Sequence, residues 1–244
     1  MNTRQRFDDQ PGFVLHTYPW RETSLIVETF TRDHGRLPLM AKGARRPGSA
    51  VRGVLMAFQP LAVSWSGKSE LKTLTGAYWQ GGQALLGGIG LLCGYYLNEL
   101  LLRLLPREDA HPILFDRYAQ TIRALAEGRQ TAPLLRSFEL ALLQELGYGL
   151  TLDVVAGSGE IVQEGGNYYF IVERGVLEAD GEMGDSATPG SALTGRALLA
   201  MAHDDFSDAD TLAQAKGLMR RLLQHYLGGQ QLESRRILIE LQEL

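Results

Sequence analysis

Between residues 36 and 52 the chain places Arg36, Lys42, Arg45, Arg46 and Arg52. The central run Ala41-Lys42-Gly43-Ala44-Arg45-Arg46-Pro47-Gly48-Ser49 holds no carboxylate. Cations on a loop kept open and mobile by glycine, serine and proline suit a phosphate backbone. Each contact releases condensed counterions and needs no base to be read. Arg21 before this run, and Lys68 and Lys72 after it, complete a candidate DNA-facing set. Trp20, Phe30, Trp65, Tyr78 and Trp79 offer faces on which unpaired bases can stack. A small β-module needs large side chains inside, however, and the core is the expected place for each of them. The competing reading is a solvated basic loop around an ordinary core.

Other constellations carry less chemistry. His16, His34, His111, His203 and His225 are scattered without ligand spacing, and His203-Asp204-Asp205 reads as a polar turn ahead of N-cap residues Ser207 and Asp208. Gly157-Ser158-Gly159 lacks the third glycine of a dinucleotide loop, and no Walker-type sequence occurs. One cysteine, Cys93, excludes an internal disulfide and a thiolate cage for zinc, and it agrees with a reducing cytoplasm. No Ser/His/Asp or Cys/His arrangement has local support, so neither a catalytic centre nor a cofactor is expected. Arg136 and Glu139 stand three apart on a helical stretch and read as an exposed ion pair of small stabilising value. Beside an apolar groove, the same arginine would suit a peptide carboxylate, with Lys216, Arg220 and Arg221 along the same groove.

The net charge of −4 hides an asymmetry along the chain. Residues 1–80 carry eleven Lys/Arg against six Asp/Glu, and residues 81–244 carry thirteen against twenty-two. One half is therefore suited to a polyanion and the other is not. The first ten residues lack the apolar run of a signal peptide. The uncharged segment 73–98 holds seven glycines and no unbroken apolar stretch, so a buried helix is expected there rather than a membrane span.

Strands are expected over 13–20, 24–31, 36–40, 60–65 and 71–79, separated by Gly, Asp and Ser turn chemistry. Five short strands with a longer connection between the third and fourth fit a five-stranded OB-type β-barrel, and an SH3-like barrel gives nearly the same pattern. Helical periodicity follows over 89–105, 113–126, 134–146, 192–202, 209–227 and 232–241. The fold class is α+β: a barrel domain over 1–80, then a helical domain over 81–244. A small Gly-rich, acidic insert with two short β-like patches interrupts the helices at 155–190.

Several separated motifs, in order and running nearly end to end, resemble the RecO family of bacterial DNA repair proteins. They are Phe13-Val14-Leu15-His16 with Trp20-Arg21-Glu22-Thr23-Ser24-Leu25, and Gly35-Arg36 followed by Ala41-Lys42-Gly43-Ala44-Arg45. They continue with Arg136-Ser137-Phe138-Glu139-Leu140-Ala141-Leu142-Leu143 and Leu146-Gly147-Tyr148, and end with Leu227-Gly228-Gly229 and Leu232-Glu233-Ser234-Arg235. The resemblance implies a non-catalytic, cytoplasmic and nucleoid-associated recombination mediator. It would bind single- and double-stranded DNA, anneal complementary strands, and work with RecR. It would also load RecA onto strands coated by single-stranded-DNA-binding protein (SSB). The resemblance implies further that the acidic C-terminal tail of SSB binds the helical domain, which would give Arg136, Lys216 and Arg220 a role.

Many relatives carry a four-cysteine zinc module near 155–180, whereas Val155 and Ser158 stand here at the first pair of positions. No zinc is expected, and the insert must hold together by packing. Two other functions remain open: a protein–protein adaptor whose DNA contact is made mainly through a partner, and a hydrolase or nucleotidyl transferase, which has no motif behind it.

Overall fold

The computed structural model describes residues 5–148, 150–179 and 192–242, so part of the expected insert, 180–190, lies outside the described residues. The chain divides into two compact units, residues 1–129 with 232–244 and residues 130–231.

In the first unit, β1 (Arg6–Trp20), β2 (Ser24–Thr31), β3 (Gly35–Ala41), β4 (Leu61–Ser66) and β5 (Lys72–Trp79) close a barrel in the order β1-β2-β3-β5-β4. Neighbours are antiparallel except β3 and β5, which pair in parallel through Leu39–Lys72 and Met40–Thr73. The expected five-stranded barrel is present. Its first strand begins at Arg6 rather than at residue 13, because β1 serves two partners. Its first half pairs with β4 and its second with β2, and Gly12 stands opposite both Leu61 and Thr31. Pro11-Gly12 reads as a break in the sequence, but it is the crossing point. A Cβ on Gly12 would lie 3.1 Å from Val63 Cγ2 and 3.3 Å from the Phe30 carbonyl oxygen.

Alternate residues fill the barrel: Val14, Val27, Leu37, Leu39, Leu61, Val63 and Trp65 are buried together. The opposite face of β1 and β2 is also apolar, at Phe13 and Phe30. It is covered by α1 (Gly88–Leu104) and α2 (Pro112–Ala126). Phe115 lies 5.5 Å from Phe13 and 5.4 Å from Phe30 between ring centroids, and Tyr118 lies 5.1 Å from Phe13. Asn98 donates to the Leu15 carbonyl at 2.8 Å and accepts from the Tyr118 hydroxyl at 2.6 Å. Burial pushes the Tyr118 phenol up, so it stays a donor. These contacts explain why the first two helices pack as one unit with the barrel.

α6 (Glu233–Gln242) belongs to the same unit. Its first N–H groups and the Ser234 hydroxyl donate to the carboxylate of Glu99 on α1, at 2.9, 2.9 and 2.7 Å. A side chain from another helix thus caps this one.

The second unit runs α3 (Thr131–Glu145), β6 (Asn167–Ile171), β7 (Gly175–Glu178), β8 (Leu193–Thr194), α4 (Gly195–Ala202) and α5 (Ala209–Tyr226), with its sheet in the order β7-β6-β8. Val155, Val162, Tyr168, Phe170, Val176 and Leu193 form a small apolar core. Val155 bridges to Val176, and the Ser158 hydroxyl accepts the Glu160 N–H at 3.3 Å. The residues at the first zinc-module positions pack and turn, Val155 in the small core and Ser158 in a turn. Among the described residues no three His, Cys, Asp or Glu side chains converge as a metal set would. Asp208 caps α5 by accepting the Thr211 N–H at 2.9 Å. No described helix is long and apolar enough to cross a membrane.

Candidate nucleic-acid interface

The basic segment after β3 is a chain of consecutive turns. Backbone N–H groups of Arg46, Ser49 and Arg52 donate to the carbonyls of Gly43, Arg46 and Ser49 at 3.0, 3.2 and 3.2 Å. Ala44 and Leu55 are buried in the barrel core, with Val51 and Val54 packed against it. The expectation of an open, mobile loop is corrected: apolar residues interleaved with the cations pin the segment down. Gly43 and Gly48 adopt positive φ, 69° and 76°, which lets the chain reverse between cations.

This segment is joined to the β1–β2 turn. The Arg45 N–H donates to the Thr23 carbonyl at 2.8 Å, and its guanidinium donates to the Arg21 carbonyl at 3.3 Å. Arg21, Lys42, Arg45, Arg46 and Arg52 are all exposed, and none makes an ion pair among the described residues. Five of the eight cations expected to face DNA therefore gather at one end of the barrel.

The other three lie elsewhere. Arg36 is largely buried; it donates to Glu28 at 3.1 Å and twice to the Leu105 carbonyl at the end of α1, at 3.1 and 2.9 Å. Lys72 is buried and paired with Glu108. Both are corrections. Their charges are engaged within the protein, by partners that come from another strand or from the segment after α1. Arg107 joins the cluster by pairing with Glu28 and Glu70. Burial works against its charge, but hydrogen bonds to the two carboxylates outweigh it and hold its pKa above the ordinary value. Lys68 is exposed on the β4–β5 turn. The parallel register of β3 and β5 directs that turn toward the Arg36 end of β3, away from Lys42.

Of the aromatic candidates, Phe30 and Trp65 are core residues as expected. Trp20, Tyr78 and Trp79 are not, at 39%, 61% and 59% exposure. Tyr78 borders a groove lined by Asp8, Asp9 and Arg6, and with Arg6 paired to Asp8 its remaining charge is negative, unfavourable for phosphate. Two exposed rings stand outside the stacking candidates of the sequence, His16 and Tyr18, which alternate with Thr17 and Pro19 on the way to Trp20. Period-2 spacing groups them with Trp20 but also with buried Val14, so it gives no sign of their exposure.

In the second unit, Glu139 is fully buried on α3 and accepts the Arg136 guanidinium at 2.6 Å, with only 13% of the Arg136 side chain exposed. The expectation of an exposed surface pair is corrected. Lys216 and Arg220 are exposed one turn apart on α5, whose Ala215, Leu218, Met219 and Leu222 are buried. Arg221 is partly buried, and desolvation lowers its pKa.

Comparison with known proteins divides the chain at the junction of the barrel and α1 rather than at residue 129, where the two compact units part. The family model for the recombination protein O N terminal matches residues 7–81, and that for the recombination protein O C terminal matches residues 88–236. The chain belongs to the RecO family. The DNA repair protein RecO of Aromatoleum aromaticum is 59% identical over 244 residues, spanning all of both chains. RecO of Azoarcus sp. matches equally at 59%, and RecO of Dechloromonas aromatica at 53% over 247 aligned positions, again covering both chains fully. The RecO N-terminal match coincides with the barrel, and the C-terminal match begins at the first residue of α1.

Proposed function

We propose that this RecO-family chain is a non-catalytic recombination mediator in DNA repair. The barrel would grip the backbone of single- and double-stranded DNA, and the helical region would receive protein partners. The observation that carries this reading is the gathering of Arg21, Lys42, Arg45, Arg46 and Arg52 at one end of the barrel without carboxylate partners. Exposed cations on a pinned scaffold bind phosphate through counterion release and leave base identity unread. That behaviour suits annealing of complementary strands and delivery of RecA to SSB-coated DNA, where any sequence must be accepted. The family's repair role supports the choice of DNA as the polyanion.

The decisive experiment is oligonucleotide affinity over a salt series. Wild type is expected to lose affinity steeply as salt rises, and Lys42→Ala/Arg45→Ala/Arg46→Ala to respond more weakly. A flat wild-type response, or full affinity in the triple variant, rejects barrel binding. It would favour an adaptor that touches DNA only through a partner such as RecR.

For the SSB tail, Lys216 and Arg220 offer exposed charge on α5, whereas Arg136 on α3 is largely buried and held by Glu139. An acidic peptide ending in an aromatic residue would place its carboxylates on these cations. Lys216→Ala/Arg220→Ala is expected to weaken binding of an SSB-tail peptide several-fold in calorimetry while the melting temperature stays unchanged. Unaltered peptide affinity would remove α5 from the site.

A further inference from the structure

We infer that His16, Tyr18 and Trp20 form a base-stacking ladder on the outer face of β1, and that this ladder gives the barrel a preference for single-stranded over duplex DNA. The inference rests on the reading of the barrel as a DNA-binding module and adds the source of its strand selectivity.

The geometry follows from strand alternation. A register shift between Val14 and His16 resets the pleat. Beyond it Thr17 and Pro19 are opposite Val27 and Leu25, two side chains of the barrel core and its margin. His16, Tyr18 and Trp20 therefore share the outward face, and all three are exposed; Pro19 is exposed as well, where the strand runs past the barrel core. His16 and Tyr18 are in edge contact, with ring centroids 4.5 Å apart and planes at 62°. Successive outward residues on a strand lie roughly 7 Å apart. That is about twice the 3.4 Å per nucleotide of a stacked strand. A single strand drawn out along β1 can thus offer its bases one by one, whereas a duplex keeps its bases stacked inside.

The same outward face continues across the sheet through Ser24 and Ile26 on β2 and Met40 on β3 to Lys42, by the pairs Trp20–Ser24, Tyr18–Ile26 and Ile26–Met40. Near His16 the face is closed by Glu28, whose carboxylate oxygens both accept from arginines. At the Trp20 end it opens onto Arg21, whose carbonyl is bonded to Arg45, with Glu22 the single carboxylate of that turn. Apolar rings running into exposed cations fit a chain of flat bases on an anionic backbone. The second exposed aromatic pair, Tyr78 and Trp79, differs in both respects. Tyr78 borders a groove in which Asp8 and Asp9 outnumber Arg6, and the Trp79 indole N–H is engaged by Gln59 at 3.1 Å.

The test measures anisotropy of oligo(dT) and of a duplex of equal length at fixed salt, using the full chain. Tyr18→Ala and Trp20→Ala are each expected to weaken oligo(dT) binding roughly tenfold, within the range that loss of one base–ring stack gives. Duplex affinity and the salt slope should hold within twofold. Tyr18→Phe and Trp20→Phe keep a ring and should retain wild-type affinity, while Trp20→Leu keeps bulk without one and should follow the alanine variant. The inference is overturned if the alanine and leucine variants melt as wild type and bind oligo(dT) normally, or if they lose both substrates equally. It is also overturned if only binding of a protein partner falls. Failure of the ladder is distinct from failure of the module: in the former, wild type binds DNA and the cation variants lose it. In the latter, wild type binds neither substrate, and both readings fall.

Discussion

The two ends of β3 carry the same kind of residue in opposite circumstances. At its start, Arg36 meets Glu28 and the last carbonyl beyond α1, and Arg107, Glu108, Glu70 and Lys72 complete an almost neutral cluster. Just past its end, Lys42, Arg45 and Arg46 stand exposed on backbone-bonded turns, and among the described residues no carboxylate pairs with them, the Arg45 guanidinium meeting only the Arg21 carbonyl. A cation's role is thus set by which carboxylates the fold delivers to it. The segment after α1 brings such groups to one end only.

The largest expected effect breaks the neutral end. Arg36→Ala leaves Glu28 buried with one cation fewer. Removing one partner of a buried pair costs about 3–5 kcal/mol, and the remaining Arg107 places this variant near the lower bound. A urea melt measures the loss, and DNA affinity of the still-folded variant should be unchanged. If affinity falls while stability holds, the contrast between the two ends is wrong.

At the open end the outcome should invert. Lys42→Ala/Arg45→Ala/Arg46→Ala should lower the slope of log affinity against log salt by roughly 2–3 and weaken binding by about tenfold or more. Its stability should stay within about 0.5 kcal/mol of wild type, as for ordinary surface substitutions.

Acid distinguishes structural from free charge in a third way. Burial tends to raise the pKa of Glu99, but the Ser234 hydroxyl and the N–H groups of Ser234 and Glu233 outweigh it, and the folded-state value is lowered. A depressed carboxylate contributes stability that is full above its unfolded value near 4.5 and lost as pH falls through the folded value. Hydrogen exchange in α6 should therefore quicken below about pH 4.5 before the barrel opens. Glu99→Gln should cost about 1 kcal/mol at neutral pH, the scale of a lost helix cap, and leave that acid response flattened. Protection of α6 that ignores pH in wild type would show that Glu99 does not hold it. The smallest effect belongs to Lys68→Ala, which should change stability by less than about 0.5 kcal/mol. Because its turn is directed toward the neutral end, the salt slope should also change less than in any single variant of the open end.

The barrel, the helix succession and the basic run were legible because each is local: period-2 alternation, 3.6-residue periodicity and a carboxylate-free stretch are all visible in a short window. Arg36 and Lys72 were not, since Lys72 finds its carboxylate at Glu108 and Arg36 finds its carbonyl at Leu105, far along the chain. Glu139 was read as exposed because a charged residue on a helix usually is, and its burial depends on packing within the second unit. The first half of β1 is not legible at Pro11-Gly12, where local turn chemistry is overridden by a crossing that leaves little room for a side chain. His16 and Tyr18 escaped because an aromatic in a short strand is ordinarily core, and only the register shift after Val14 turns them outward.

The parallel pair between β3 and β5 has a consequence for the time course of folding. β1, β2 and β3 form a meander, and β4 and β5 a hairpin, each from residues close in sequence. The barrel shuts only when these two pieces meet along β1–β4 and along the two rungs Leu39–Lys72 and Met40–Thr73. Contacts so distant in sequence are the slow ones, because loop-closure entropy must be met before they form. The connection that must close is the basic segment itself. Its turns and its Val51, Val54 and Leu55 contacts shorten the effective loop. The stretch that carries the exposed cations is therefore also the connection whose closure entropy weighs on completing the barrel.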